Sequence, residues 1–103
     1  MPRLRYTQRA VRDLRSILQY VTRESGSLEA GRAFVAKLRG RCADLAVLPG
    51  QMGRPRSELL PELRSVAFRD YVIFFRYQGG DFQIVSIMEG HRDIEQHFQR
   101  GMS

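Results

Sequence analysis

Few side chains in this sequence can do chemistry, and they gather in its C-terminal half. His91 is the one plausible acid or base of near-neutral pKa close to that end, and Arg92 stands beside it. Arg64 and Arg76 sit inside apolar, strand-like runs. An imidazole with three guanidinium groups is a set that could engage a phosphodiester: cations hold the phosphate while an acid and a base move protons. As a catalyst the set is incomplete, because no tyrosine follows His91 and the single lysine, Lys37, lies in a helical stretch on its expected solvent side. His97 is expected to face solvent. Two histidines six residues apart do not share a helix face, so no metal site is expected. Cys42 is the only cysteine, which rules out an internal disulfide and suits a small buried hydrophobe. No motif calls for a cofactor.

The wider composition says what such residues could meet. Lys and Arg number 17 against 11 Asp and Glu, a net charge of +6. A small domain this basic is drawn to polyanions: nucleic acid, an enzyme bound to nucleic acid, or an acidic protein. Arginine makes bidentate contacts with phosphate and carboxylate. A genome rich in G and C gives the same arginine bias, so charge alone names no partner. At 103 residues and 43% hydrophobic, the chain fits one domain over 1–103 with one compact core. Its longest apolar run, residues 71–75, is far short of the about 20 needed to cross a bilayer. Met1-Pro2-Arg3-Leu4-Arg5 shows no apolar signal core, so a cytoplasmic protein without membrane contact is expected.

The elements that must position these residues follow from periodicity. Residues 3–6 alternate polar and apolar and predict a short strand. Thr7 can cap a helix over roughly 8–24, in which Ala10, Val11, Leu14, Ile17, Leu18 and Val21 recur at three- and four-residue steps. Arg9, Arg12, Asp13, Arg15 and Gln19 occupy its other face. Ser25-Gly26 ends it, and Ser27 caps a second helix carrying Ala30, Ala33, Phe34, Leu38, Cys42, Leu45 and Leu48 until Pro49-Gly50. So short a turn makes the two helices an antiparallel hairpin. Residues 49–61 predict a loop. Strands are predicted at 63–68, 71–77 and 82–88, broken at Arg69-Asp70 and at the hairpin signal Gln78-Gly79-Gly80-Asp81. Asp93 can cap a last short helix through about Phe98.

The order β-α-α-β-β-β(-α) predicts an α+β domain: an antiparallel sheet with the N-terminal helical hairpin packed on one face. The other face is expected to be open, with Arg64 and Arg76 as candidates to line it, though strand register decides which face each takes. Salt bridges to Glu62, Asp70 or Glu89 are the alternative use of these arginines, about 1 kcal/mol or less if exposed.

At this point the chain resembles the ParE-type toxins of the ParE/RelE toxin–antitoxin superfamily. The resemblance runs through Ala10, Asp13, Leu14, Ile17 and Tyr20, then Ala33, Phe34, Leu38 and Leu45, then Pro49 and Gly53-Arg54. It continues through Leu63-Arg64-Ser65, residues 71–76, residues 84–87, and Gly90, Arg92 and Asp93. ParE-like chains often carry a histidine where this one has Glu89. The resemblance implies a toxin that poisons DNA gyrase and meets DNA only indirectly, through gyrase or the antitoxin. It also implies a cognate ParD-like antitoxin with a ribbon-helix-helix N-terminus and an acidic C-terminal segment that folds onto the toxin. RelE-type relatives instead cleave mRNA on the ribosome, using sheet arginines and lysines with a C-terminal Tyr or His-Tyr pair. On that reading Arg64, Arg76, His91 and Arg92 would be catalytic. On the gyrase reading there is no catalytic residue, and the same four are the candidates for target contact and toxicity. Val11, Leu14, Leu18, Phe34, Leu38 and Phe74 are the candidates for antitoxin contact. A third possibility is a toxin fold that has lost its toxicity and serves as a binding module.

Overall fold

The computed structural model describes residues 3–48, 52–90 and 94–101. Its elements are β1 (Arg3–Tyr6), α1 (Gln8–Ser25), α2 (Leu28–Val47), β2 (Arg54–Pro55), β3 (Arg64–Phe68), β4 (Tyr71–Gln78), β5 (Asp81–Glu89) and α3 (Ile94–Gly101). Local chemistry accounts for most of these boundaries. The Thr7 hydroxyl accepts from the Ala10 N–H and opens α1, and Gly26 closes it in a left-handed conformation, φ 73°, donating to Thr22 O. The Ser27 hydroxyl accepts from Ala30 N–H to open α2, with Glu29 in the first turn where the helix dipole favours an anion. The β4–β5 turn places both central glycines at positive φ, 58° for Gly79 and 85° for Gly80, as a two-residue hairpin requires. The break at Arg69-Asp70 is also a two-residue turn, with Arg69 at φ 55° between paired Phe68 and Tyr71.

The five strands lie in the order β1-β5-β4-β3-β2. Strands β2 to β5 pair antiparallel as expected, but β1 runs parallel to β5, so the sheet is mixed. Four alternating residues fix which side chains share a face and carry no information about strand direction, which is why this pairing escaped the sequence. The two-residue strand β2 arises inside what reads as a loop, with its proline at the sheet edge, where no N–H is needed.

The α1–α2 hairpin covers one face of the sheet. Its core joins Ala10, Leu14, Ile17, Leu38, Cys42 and Leu45 to Ile73, Phe75, Phe82, Ile84 and Ile87. The helices approach closely at Gly31, where a Cβ would collide with the Thr22 hydroxyl. The other face is not wholly open. Leu63, Phe74, Val85, Met88 and Phe98 form a second buried cluster, with Leu59, Leu60 and Ile94 packed around it. Thus α3 and the turn after β2 cover one part of this face, and polar side chains occupy the rest.

Candidate target-binding surfaces

Register decides what each arginine can do. Arg64 pairs with Phe75 and so belongs to the face that the hairpin covers. Its guanidinium donates from Nε to Met52 O (2.7 Å) and from Nη2 to Gly53 O (2.8 Å), tying down the backbone that leads into β2. Gly53 lies against β3 with φ 79°, and a Cβ there would meet Ser65 O at 2.5 Å. Arg76 pairs with Gln83 on the opposite face, and its Nε donates to Gln83 Oε1 at 2.9 Å. The structure therefore separates Arg64 from Arg76. His91 and Arg92, and the proposed cap Asp93, lie outside the described residues.

Around Arg76 the sheet assembles groups that sequence reasoning did not connect. Arg5 pairs with Gln83 from the other side, so Arg5, Gln83 and Arg76 form one row across β1, β5 and β4. Arg3, Asp81 and Gln78 form the next row. The Asp81 carboxylate lies 3.5 Å from Arg3 and 3.6 Å from Arg5, whose side chains are 72% and 56% exposed. The alternation Arg3-Leu4-Arg5 already put both arginines on one face; only the parallel pairing of β1 brings them beside Arg76. Arg56 is held differently: it stacks over the Phe74 ring at 5.6 Å and pairs with Glu58 at 2.8 Å.

The hairpin presents a different surface. Of the apolar candidates, Leu14, Leu38 and Phe74 are 5%, 0% and 0% exposed. They are the chain's own core, and Phe74 sits on the far side of the sheet, edge-to-face with Phe98 at 4.9 Å. Their periodicity marked the inward stripe of the fold, not a docking stripe. Leu18 and Phe34 are partly exposed, and Phe34 packs its ring against Tyr71 at 5.5 Å. Val11 is 37% exposed and lines an open groove of about 330 Å³ with Tyr6, Gln8, Arg12 and Arg15. Arg39 stacks over the Tyr6 ring at 4.9 Å. This is an apolar floor bordered by cations.

Asp13 is the residue whose setting differs most from expectation. It turns from the polar side of α1 toward the sheet, where its Oδ2 accepts from Ser86 Oγ (2.8 Å) and from Ile87 N–H (2.9 Å). A register shift at Phe74/Phe75 sets Phe74 opposite Ser86 and Phe75 opposite Ile84, leaving Val85 as the extra residue. Asp13 bonds the strand just past this bulge. Beside it, a cleft of about 130 Å³ lined by Ser16, Tyr20, Tyr71 and Glu89 is smaller than the about 300–1,000 Å³ that holds a typical small-molecule ligand.

Two ionisable groups in the core are moved away from neutral pH. Burial pushes the Cys42 thiol up to about 11, partly opposed by its hydrogen bond with Tyr6 and by Arg39 and Arg41. Burial, and then Cys42, push Tyr6 up to about 12. Neither group is a nucleophile or base at neutral pH. No group of three His, Cys, Asp or Glu that could hold a metal occurs among the described residues. No helix among them is long and apolar enough to cross a membrane. The exposed end of the sheet offers guanidinium groups, which carry a fixed positive charge, and neutral carboxamides, which donate and accept hydrogen bonds.

The chain is thus a small α+β domain with two unlike cationic surfaces, one at the end of the sheet and one along the helical hairpin. The sequence matches, over residues 4–94, the family model described as ParE toxin of type II toxin-antitoxin system, parDE, and the chain belongs to that family. It is similar to a solved chain from the chromosomal ParDE toxin–antitoxin system of P. aeruginosa, with 25% identity and a TM-score of 0.76 over 86% of this chain and 96% of that one. No curated protein resembles it closely enough to count as a match.

Proposed function

We propose that this toxin acts in the cytoplasm by binding DNA gyrase and stalling it with its DNA cleaved, without being an enzyme itself. The family match over residues 4–94 carries the reading. The chemistry of the sheet supports it, because the described residues around Arg76 supply positive charge and hydrogen-bond donors but no proton-transfer pair. Arg76, His91 and Arg92 are assigned to target contact, and Arg64 acts through the 52–53 backbone it holds.

Neutralisation falls to a ParD-like antitoxin with a ribbon-helix-helix N-terminus. Its acidic C-terminal segment folds as it binds, laying an amphipathic helix along the hairpin. Val11, Leu18 and Phe34 provide the accessible apolar contacts, while Arg12 and Arg15 border the groove and meet acidic side chains.

The test is a supercoiling assay with toxin freed from its antitoxin, run beside a translation reaction in which mRNA cleavage is read by primer extension. Lost supercoiling with accumulating cleaved DNA and intact mRNA is the expected result. Cut mRNA with normal supercoiling would overturn it in favour of a ribosome-dependent nuclease. If neither reaction changes and expression leaves growth unaffected, the chain is a binding module that has lost its toxicity.

A further inference from the structure

We propose that the exposed end of the sheet, formed by Arg3, Arg5 and Arg76 with Gln78 and Gln83, contacts the phosphate backbone of duplex DNA directly. This deepens the gyrase reading, on which its biological meaning rests, by giving the toxin its own hold on the DNA.

Geometry is the first argument. Arg3 and Arg5 are two residues apart on β1, about 7 Å along the strand, and Arg5 and Arg76 are two strands apart, about 10 Å. The backbone positions of these three arginines therefore span about 12 Å of one surface at the widest. Over that distance a duplex presents several phosphates, at one charge per about 1.7 Å of axis. Asp81 is the one carboxylate among these two rows, and at 3.5 and 3.6 Å it leaves Arg3 and Arg5 largely exposed. The Arg76 Nε bond to Gln83 aims the guanidinium while its terminal nitrogens remain donors.

What the patch lacks identifies its occupant. A protein partner is held by an apolar centre with a polar rim. On this face the apolar side chains Phe74, Val85 and Met88 are 0–3% exposed, and the partly buried Val72, Leu59, Leu60 and Ile94 pack against that cluster and stand in neither of the two rows. Single-stranded nucleic acid is held by stacking its bases on exposed aromatic rings. None stands in these two rows; Tyr77 and Phe82 belong to the hairpin face. A charged, polar surface without anchor or stacking ring suits a backbone contact, which positions a duplex and reads no sequence.

The experiment needs no gyrase, so its failure is distinct from failure of the gyrase reading. Fluorescence anisotropy with a labelled 20-base-pair DNA duplex would compare the whole toxin with R3Q/R5Q/R76Q and with R23Q/R32Q/K37Q, an equal charge change on exposed hairpin positions. Circular dichroism would confirm that each is folded, and R76Q alone serves if the triple variant is not. The sheet triple variant is expected to bind at least about tenfold more weakly at 100 mM salt, with the slope of log K against log salt smaller by about 2–3. The hairpin variant should change each much less. Equal losses in the two triples would mean attraction to net charge alone and overturn the proposal. Tighter binding to a single-stranded RNA of the same length would overturn the choice of duplex DNA. If gyrase is poisoned but this binding is absent, the toxin reaches DNA only through the enzyme.

Discussion

Replacing Asp13 by alanine removes a link between α1 and β5 that no other described side chain can supply in the same place. The carboxylate accepts from the Ser86 hydroxyl and the Ile87 amide at 2.8 and 2.9 Å, and Ser86 is fully buried. Hydrogen bonds to a charged acceptor contribute about 1.5–3 kcal/mol each, and a buried donor left unmatched costs about 1–3 kcal/mol. Asp13 is only partly buried, so water can take over some of this role and the lower half of the range applies. The expected loss for Asp13→Ala is about 3 kcal/mol out of the about 5–15 typical of a small domain. At about 4–8 °C per kcal/mol, that lowers the melting temperature by about 12–24 °C. Asp13→Asn keeps one acceptor oxygen and should lose about half as much. Urea unfolding of D13A, S86A and the double variant gives the coupling between the two side chains, expected at about 1–2 kcal/mol. A D13A protein within about 0.5 kcal/mol of the parent, or a coupling of zero, would refute the reasoning and make Asp13 a surface residue after all.

Four further outcomes follow from named contacts. Gly53→Ala should destabilise by about 1–3 kcal/mol in the same urea assay, because φ 79° and the approach to Ser65 O both exclude a side chain; an unchanged midpoint counts against the close approach. Gly31→Ala should lower stability by separating the helices at Thr22, and a further Thr22→Ala should recover part of the loss; failure to recover any of it would place the cause elsewhere. Cys42 and Tyr6 are acids whose folded values, about 11 and 12, lie above their ordinary 9.0 and 10.0. Their contribution is therefore complete below about pH 9 and lost as pH rises through about 11 to 12, so stability that stays flat to pH 12, or prompt thiol labelling at pH 8, would contradict it. Finally, Arg76→Glu should reduce growth arrest with an unchanged melting curve, whereas Arg64→Glu should lower the melting temperature by releasing the Met52 and Gly53 carbonyls; the opposite pattern would exchange their roles.

The elements were legible in the sequence because each has a local cause. Thr7 and Ser27 cap, Gly26 and the Gly79-Gly80 pair permit turns, and the apolar steps of α1 and α2 mark the inward stripe. What was not legible depends on pairing between distant segments. The parallel placement of β1 beside β5 joins residues about 80 positions apart in the chain, and the bulge that turns Ser86 and the Ile87 amide toward Asp13 has no local signature. The surface candidates suffered for a related reason. An apolar stripe identifies a side that is covered but not what covers it, so Leu14 and Leu38, buried within the domain, look the same in sequence as Val11, which is exposed.

The same distinction separates the two arginines. Arg64 and Arg76 look equivalent in sequence: one cation each in an apolar strand. Register makes them opposites, since a change of face follows from a single step along a strand. Arg64 uses its guanidinium on backbone carbonyls and so belongs to the folding of the 52–53 segment; Arg76 keeps company with Arg5 and Gln83 on the polar end of the sheet. A loss of toxicity after changing Arg64 therefore says little about the target unless the variant's stability is measured beside it. The contact surface is better sought from Arg76 outward, along β5 to Arg5 and Arg3, where the guanidinium groups meet the side chains of Gln83 and Asp81 instead of tying down backbone.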